Sequence, residues 1–235
     1  MKSLFLGTAA LALSAGLAMA DTVRLGTEGA YPPYNFLNDA GEVDGFEREL
    51  GDELCKRAGQ TCEWVTNDWD SIIPNLTSGN YDAIIAGMSI TAERAEVVHF
   101  TQGYTQPSPS SFAAMSADVD LKTAVIAAQA STIQSAHVAE SGATLVEFPT
   151  PDETIAAVKS GEADAVLSDK DFLNPIVAET DLVFIEDILL GGGIGMAFRK
   201  SDSELHAKFD AAIASMKEDG SLNAMLDKWE IEGKF

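Results

Sequence analysis

The chain has 235 residues, 46% hydrophobic and 22% charged, which excludes a disordered polyelectrolyte, a collagen-like repeat and a coiled coil. Thirty-seven acids against fifteen bases give a net charge of −22, so nucleic acid and anionic membrane surfaces are poor partners and a cationic ligand is favoured.

Lys2, an apolar run from Leu4 to Leu17 and the small-residue site Ala18-Met19-Ala20 predict a secretory signal peptide over 1–20, cleaved before Asp21. That run is shorter than the roughly 20 residues of a membrane span. No Cys stands at the cleavage point, so a lipid anchor is not expected. The mature protein is therefore expected in the periplasm.

Val23 to Gly26 reads as a first strand, followed by a Tyr31-Pro32-Pro33-Tyr34 turn. Phe46, Leu50, Leu54 and Ala58 recur every four residues, one face of a helix that Gly59 stops. Cys55 and Cys62 are the only cysteines, and in an exported chain so close a pair reads as a disulfide. Glu63 to Val65 starts a strand, Asp68 to Ser78 a helix, and Ala83 to Ile85 a buried strand. Thr91 caps a short helix from Ala92.

The second half repeats the scheme. Ala124 to Ala128, Thr144 to Phe148 and Ala165 to Leu167 read as strands; Ser131-Thr132 opens one helix and Asp152 to Ser160 forms another. The segment Leu76 to Ile85 echoes Val158 to Leu167, each a helix end, a glycine, then a strand. Such alternation predicts an α/β protein with mostly parallel sheets in two lobes. Phe112-Ala113-Ala114 and Gly191 to Phe198 read as two crossings between the lobes, followed by helices over Glu204 to Lys217 and Leu222 to Trp229. Lobe one then spans 21–111 plus 196–235, and lobe two 112–195.

No nucleophile-elbow, zinc-protease, phosphate-loop or dinucleotide motif occurs, and the three histidines are scattered. The sequence therefore predicts no enzyme, no cofactor and no metal. In open α/β sheets ligands sit beyond the carboxyl ends of strands. Those ends carry Thr27 to Tyr31, Ala86 to Arg94, Gln129 to Thr132, and Ser168-Asp169. Arg94, in the first turn of a helix, suits a carboxylate held by two parallel hydrogen bonds. Asp169 suits an ammonium and Glu28 a second cation, which together describe a basic amino acid. Each has a plainer reading: Arg94 paired with Glu93, Asp169 capping its helix, Glu28 a solvated loop acid, Tyr31 and Trp69 core aromatics.

The segments Leu25 to Phe36, Gly45-Phe46-Glu47, Asp68 to Pro74, Tyr81 to Ile85, Ser89 to Arg94, Asp164 to Leu167 and Lys217 to Ser221 resemble periplasmic solute-binding proteins for polar and basic amino acids. The resemblance spans nearly all of the mature chain and is nearest to lysine/arginine/ornithine-, arginine- and opine-binding members. It implies the two-lobed type II periplasmic binding protein fold, closing by hinge motion. It implies a monomer that delivers an amino acid to an ABC transporter permease, and a disulfide at the cysteine pair. By the same resemblance, Arg94 grips the α-carboxylate with Ser89 and Thr132, and Asp169 and the Gly87 carbonyl take the α-ammonium. Tyr31 and Trp69 sandwich the side chain and Glu28 meets its distal charge, and Ala86 and Met88 are expected among the ligand-binding residues. Ala86-Gly87 replaces a serine pair of basic-amino-acid binders and is similar to glutamine binders, while Ala128 stands where those carry a lysine. Opine or glutamine capture, a dehydratase and a ligand sensor on the same fold are the alternatives.

Overall fold

The computed structural model describes residues 22–235. The signal peptide expected over 1–20 lies outside the described residues.

The chain opens with β1 (Val23–Thr27), β2 (Ala30–Tyr31), β3 (Asn35–Leu37) and β4 (Val43–Asp44), then α1 (Phe46–Arg57) and β5 (Cys62–Thr66). A 3₁₀ turn at Trp69–Ser71 leads into α2 (Ile72–Thr77), followed by β6 (Ala83–Ile84), α3 (Ala92–Val97) and β7 (Val98–Phe100). The second unit comprises β8 (Ser110–Ala114), β9 (Val125–Gln129), α4 (Ile133–Ser141), β10 (Thr144–Phe148), α5 (Pro151–Ser160), β11 (Ala165–Asp169), α6 (Lys170–Glu179) and β12 (Val183–Ile188). The chain then returns through β13 (Ala197–Arg199) and ends in α7 (Ser203–Glu218) and α8 (Ser221–Lys228).

Two five-stranded sheets result, ordered β5-β1-β6-β13-β7 and β10-β9-β11-β8-β12. In each, three parallel strands are followed by a fourth that runs antiparallel to both of its neighbours. That fourth strand, β13 or β8, is the one entered directly after the chain changes sheets. The architecture is the α/β, two-lobed type II fold with two crossover segments.

The internal echo has a structural cause. Asp82 donates its backbone N–H to Arg24 O at 2.8 Å, and its carboxylate accepts the Arg24 N–H at 3.0 Å. Asp164 does the same with Val125, at 2.8 Å in both directions. Each aspartate thus locks a new strand, β6 or β11, against the middle strand of its parallel trio, β1 or β9.

The helical face on α1 is buried as its period demands: Phe46, Leu50 and Leu54 have no exposure. Each such side chain contributes roughly 1.5–3 kcal/mol on leaving water. The Cys55–Cys62 disulfide ties the end of α1 to the start of β5, with Cα atoms 6.2 Å apart.

Two expectations need correction. Phe112-Ala113-Ala114 is not a crossing: it lies inside β8, paired on both sides by β11 and β12 and buried along its whole length. The chain crosses earlier, over 101–109, where Pro107 and Pro109 cannot donate to a ladder. The segment expected to be one helix over 68–78 begins as a 3₁₀ turn that presents Trp69, with the α-helix starting only at Ile72.

The two crossings pair with each other. Thr101 N–H donates to Met196 O at 3.0 Å and Tyr104 N–H to Ile194 O at 2.7 Å. The Thr101 and Thr105 hydroxyls accept the Met196 and Ile194 N–H groups, both at 3.1 Å.

Candidate functional site

Strand ends from both sheets face one cavity, as expected for an open α/β fold. Nine of the ten sequence-predicted residues line it: Glu28, Tyr31, Trp69, Ala86, Gly87, Ser89, Arg94, Thr132 and Asp169. Met88 does not. Its side chain has no exposure and packs in the apolar cluster of Ile72, Leu76 and Tyr81. Gly87, with φ +61°, turns the chain so that its neighbours diverge, Ser89 to the cavity and Met88 to the core. A Cβ at Gly87 would come within 3.3 Å of the Tyr31 ring, and the positive φ disfavours a side chain, so glycine suits the wall there.

Arg94 sits in the first turn of α3, where the Thr91 hydroxyl caps its N–H at 3.1 Å. Its guanidinium donates to Ser89 O at 3.0 Å and to Ser131 O at 3.4 Å, and lies 5.3 Å from the centre of the Trp69 ring. Carbonyls, not carboxylates, hold it in place, and the Glu93 pairing does not form. Five N–H groups leave donors for a carboxylate after those two contacts. Burial depresses the Arg94 pKa, while Asp169 and Glu93 partly oppose this.

Asp169 ends β11 and occupies the N-cap position of α6, yet its side chain makes no cap bond. It accepts instead from the Tyr31 hydroxyl at 2.7 Å, Gln134 Nε2 at 2.7 Å and the Ser110 hydroxyl at 3.2 Å. The capping explanation is thereby removed. Burial raises its pKa, against the pull of those donors and of Arg94. Tyr31, which reaches across to it, stacks on Phe172 with ring centres 4.9 Å apart and planes 7° apart.

Glu28 follows β1, is half-buried and reaches the far sheet. Its Oε1 accepts Gln129 Nε2 at 2.6 Å, a neutral partner. Burial pushes its carboxyl up to about 7, with Asp68, Asp70 and Glu47 adding and Gln129 opposing. The site is thus polarised. Arg94 and Asp169 bias each other's ionisation, whereas the charged groups acting on Glu28 are all acids.

Thr132 caps α4: its hydroxyl accepts Ser135 N–H at 3.1 Å and donates to Gln129 O at 2.7 Å. That hydroxyl is already committed when the helix forms. Trp69 Nε1 donates to Ser131 O at 3.2 Å, so one carbonyl receives both Trp69 and Arg94 from the other sheet. Ser131 has φ +60°, uncommon for a residue with a side chain.

Gln129, Ile133 and Gln134 also line the cavity and were not among the predicted residues. Gln129 stands at a strand end that the sequence does single out, but a neutral amide drew no role there. Gln134 lies inside a helix, where spacing alone does not say which turn faces a ligand.

A solved structure of a periplasmic His/Glu/Gln/Arg/opine family-binding protein from Silicibacter pomeroyi, in complex with lysine, is similar at 70% identity and a TM-score of 0.87. The match covers 88% of this chain and 96% of that one. The L-arginine-binding protein of Pseudomonas aeruginosa is 34% identical over 226 residues, covering 88% of this chain and 87% of the relative. The lysine/arginine/ornithine-binding periplasmic protein of Escherichia coli is 30% identical over 237 residues, covering 93% and 91%. All three are binding proteins by name. Residues 23–232 match the model of the bacterial extracellular solute-binding proteins, family 3, and the chain belongs to that family.

Proposed function

We propose that this protein captures a basic L-amino acid (lysine, arginine or ornithine) in the periplasm and delivers it to the permease of an ABC importer. The observation that carries the reading is Glu28, a half-buried acid on the cavity wall whose partner is an amide and not a cation. An enclosed carboxylate is costly unless paired, so a ligand cation supplies what the protein does not. Arg94 takes the α-carboxylate with its remaining N–H groups, and Asp169 takes the α-ammonium. Tyr31 and Trp69 flank the alkyl stem. Gln129 fixes the orientation of Glu28 from the opposite sheet. The similar proteins named for arginine, lysine and ornithine support this ligand class.

The two sheets are the cores of two lobes, and the paired crossings at 101–105 and 194–196 are the hinge. Because Arg94 and Asp169 come from different lobes, one ligand held by both ends favours closure. The protein works as a monomer after removal of residues 1–20, and catalyses no reaction.

A thermal-shift panel across the twenty amino acids and ornithine tests the reading. At a ligand concentration of 1,000 Kd the stabilisation is about 4.1 kcal/mol, or roughly 8–16 °C for a chain of this size. Lysine, arginine and ornithine are expected to give the largest shifts. Equal or larger shifts with acidic or small neutral amino acids would overturn the reading.

A further inference from the structure

Glu47 belongs to the Gly45-Phe46-Glu47 motif, yet it does not line the cavity and has no solvent exposure. Gly45 puts it there. A Cβ at Gly45, whose φ is +112°, would lie 2.6 Å from Tyr34 O. Only glycine lets α1 start against that turn, with the Phe46 and Glu47 N–H groups donating to Pro33 O and Tyr34 O at 3.0 and 2.8 Å. The Glu47 side chain then points inward.

Three donors converge on it. Oε1 accepts the Gly87 N–H at 2.7 Å and the Tyr104 hydroxyl, and Oε2 accepts Asn35 Nδ2 at 2.7 Å. Asn35 Oδ1 in turn accepts the Gly29 N–H at 2.7 Å. The Gly87 N–H and Asn35 Nδ2 can only donate, one to each carboxylate oxygen, and the Tyr104 hydroxyl adds a third contact; a carboxyl group satisfies this set, whereas an amide side chain turns its own NH₂ against one of the two donors. The residues held through this hub matter individually. Gly29 follows Glu28, Gly87 forms the cavity wall against Tyr31, and Tyr104 belongs to the first crossing and pairs with Ile194 of the second.

We infer that Glu47, with Asn35, is a positioning residue for ligand capture: it ties the two ligand-facing turns at Gly29 and Gly87 to the crossing at Tyr104. The affinity part of this inference rests on the basic-amino-acid reading; the geometric part does not. A binding constellation has to be held to within about 0.5 Å by its supporting contacts, and this hub supplies them for two turns at once. Removing it loosens both turns without removing any group that touches ligand.

The test uses the mature chain with Glu47→Gln, Asn35→Ala and Tyr104→Phe, each measured by residue-resolved amide exchange without ligand and by calorimetric titration with lysine. In Glu47→Gln, the Gly29 and Gly87 amides lose protection relative to the Leu25 amide of β1, and the lysine Kd rises at least about tenfold, the low end for a charged hydrogen bond. Asn35→Ala loosens Gly29 while leaving Gly87 protected, and Tyr104→Phe, which leaves both turns tied, changes affinity least. If Glu47→Gln does not fold, Asn35→Ala carries the test. A lowered melting temperature with unchanged relative protection at Gly29 and Gly87 and an unchanged Kd would overturn the inference, leaving Glu47 as a core contact only. Failure of the wild-type protein to bind lysine would sink the ligand reading, and exchange at Gly29 and Gly87 would still decide the positioning role.

Discussion

Replacing Glu28 by Gln keeps the side chain's size and one acceptor but removes the charge, and two opposite effects follow. In the empty protein the carboxylate is half-buried and meets only Gln129, with Asp68, Asp70 and Glu47 opposing its ionisation. A shift from 4.5 to about 7 corresponds to roughly 3 kcal/mol of strain on the ionised form above pH 7. Glu28→Gln should therefore stabilise the ligand-free protein at pH 8, by about 1–3 kcal/mol once relaxation is allowed, or roughly 2–12 °C in Tm. Lysine binding should weaken at the same time by about 1.5–3 kcal/mol, the range for hydrogen bonds to charged groups. Calorimetric titration with lysine and with glutamine, alongside ligand-free melting curves, separates the terms. The expected signature is a higher ligand-free Tm, a lysine Kd raised about 10- to 150-fold and a glutamine affinity that changes little. Equal losses for the two ligands, or a lower Tm, would refute the reasoning and leave Glu28 as a structural loop acid.

Arg94→Ala should weaken every amino-acid ligand alike by about 2–5 kcal/mol, since a buried carboxylate would lose its charged partner; near-normal affinity in titration would remove Arg94 as the anchor. The Glu28 carboxyl, raised to about 7 chiefly by burial, gives a pH dependence with a definite sign. As a raised acid it supports the ligand-free fold fully below about 4.5, and that support is lost as pH rises through about 7. Lysine needs the ionised form, so its Kd should rise by up to about tenfold per unit as pH falls below 7. Burial shifts Asp169 in the same direction, so the slope in titrations at pH 8, 6.5 and 5.5 should flatten, not vanish, in Glu28→Gln. Loss of the Cys55–Cys62 disulfide should cost about 2–3 kcal/mol of stability in the chain-entropy model while leaving lysine affinity nearly unchanged. Unreduced mature protein should weigh two hydrogens less than the dithiol form by mass spectrometry.

Short-range physics made much of this protein legible in its sequence. The four-residue period from Phe46 to Leu54 becomes the buried face of α1. Thr91 and Thr132 cap the helices that they precede. The echo between Leu76–Ile85 and Val158–Leu167 becomes the same strand-locking aspartate in each sheet. Strand ends meet at one cavity because parallel strands point their carboxyl ends the same way, a property of the connection and not of any single side chain.

Contacts between distant segments were decided only by the tertiary structure. Glu28 meets Gln129, 101 residues away, and Tyr31 meets Asp169, 138 away. No local pattern encodes either pairing. Asp169 stands where a helix cap would stand, and only the approach of Tyr31, Ser110 and Gln134 turns its carboxylate to the cavity. Met88 and Ser89 are neighbours in the chain with opposite fates, set by the backbone turn at Gly87 and the apolar cluster beneath it. The run from Ser110 to Ala114 is small and weakly patterned, and it becomes a central strand because β11 and β12 satisfy its backbone on both sides. Periodicity and capping depend on neighbours a few residues apart, so the sequence carries them directly. The direction of a buried side chain depends on which surfaces fold against it, and that is settled only when both sheets are in place.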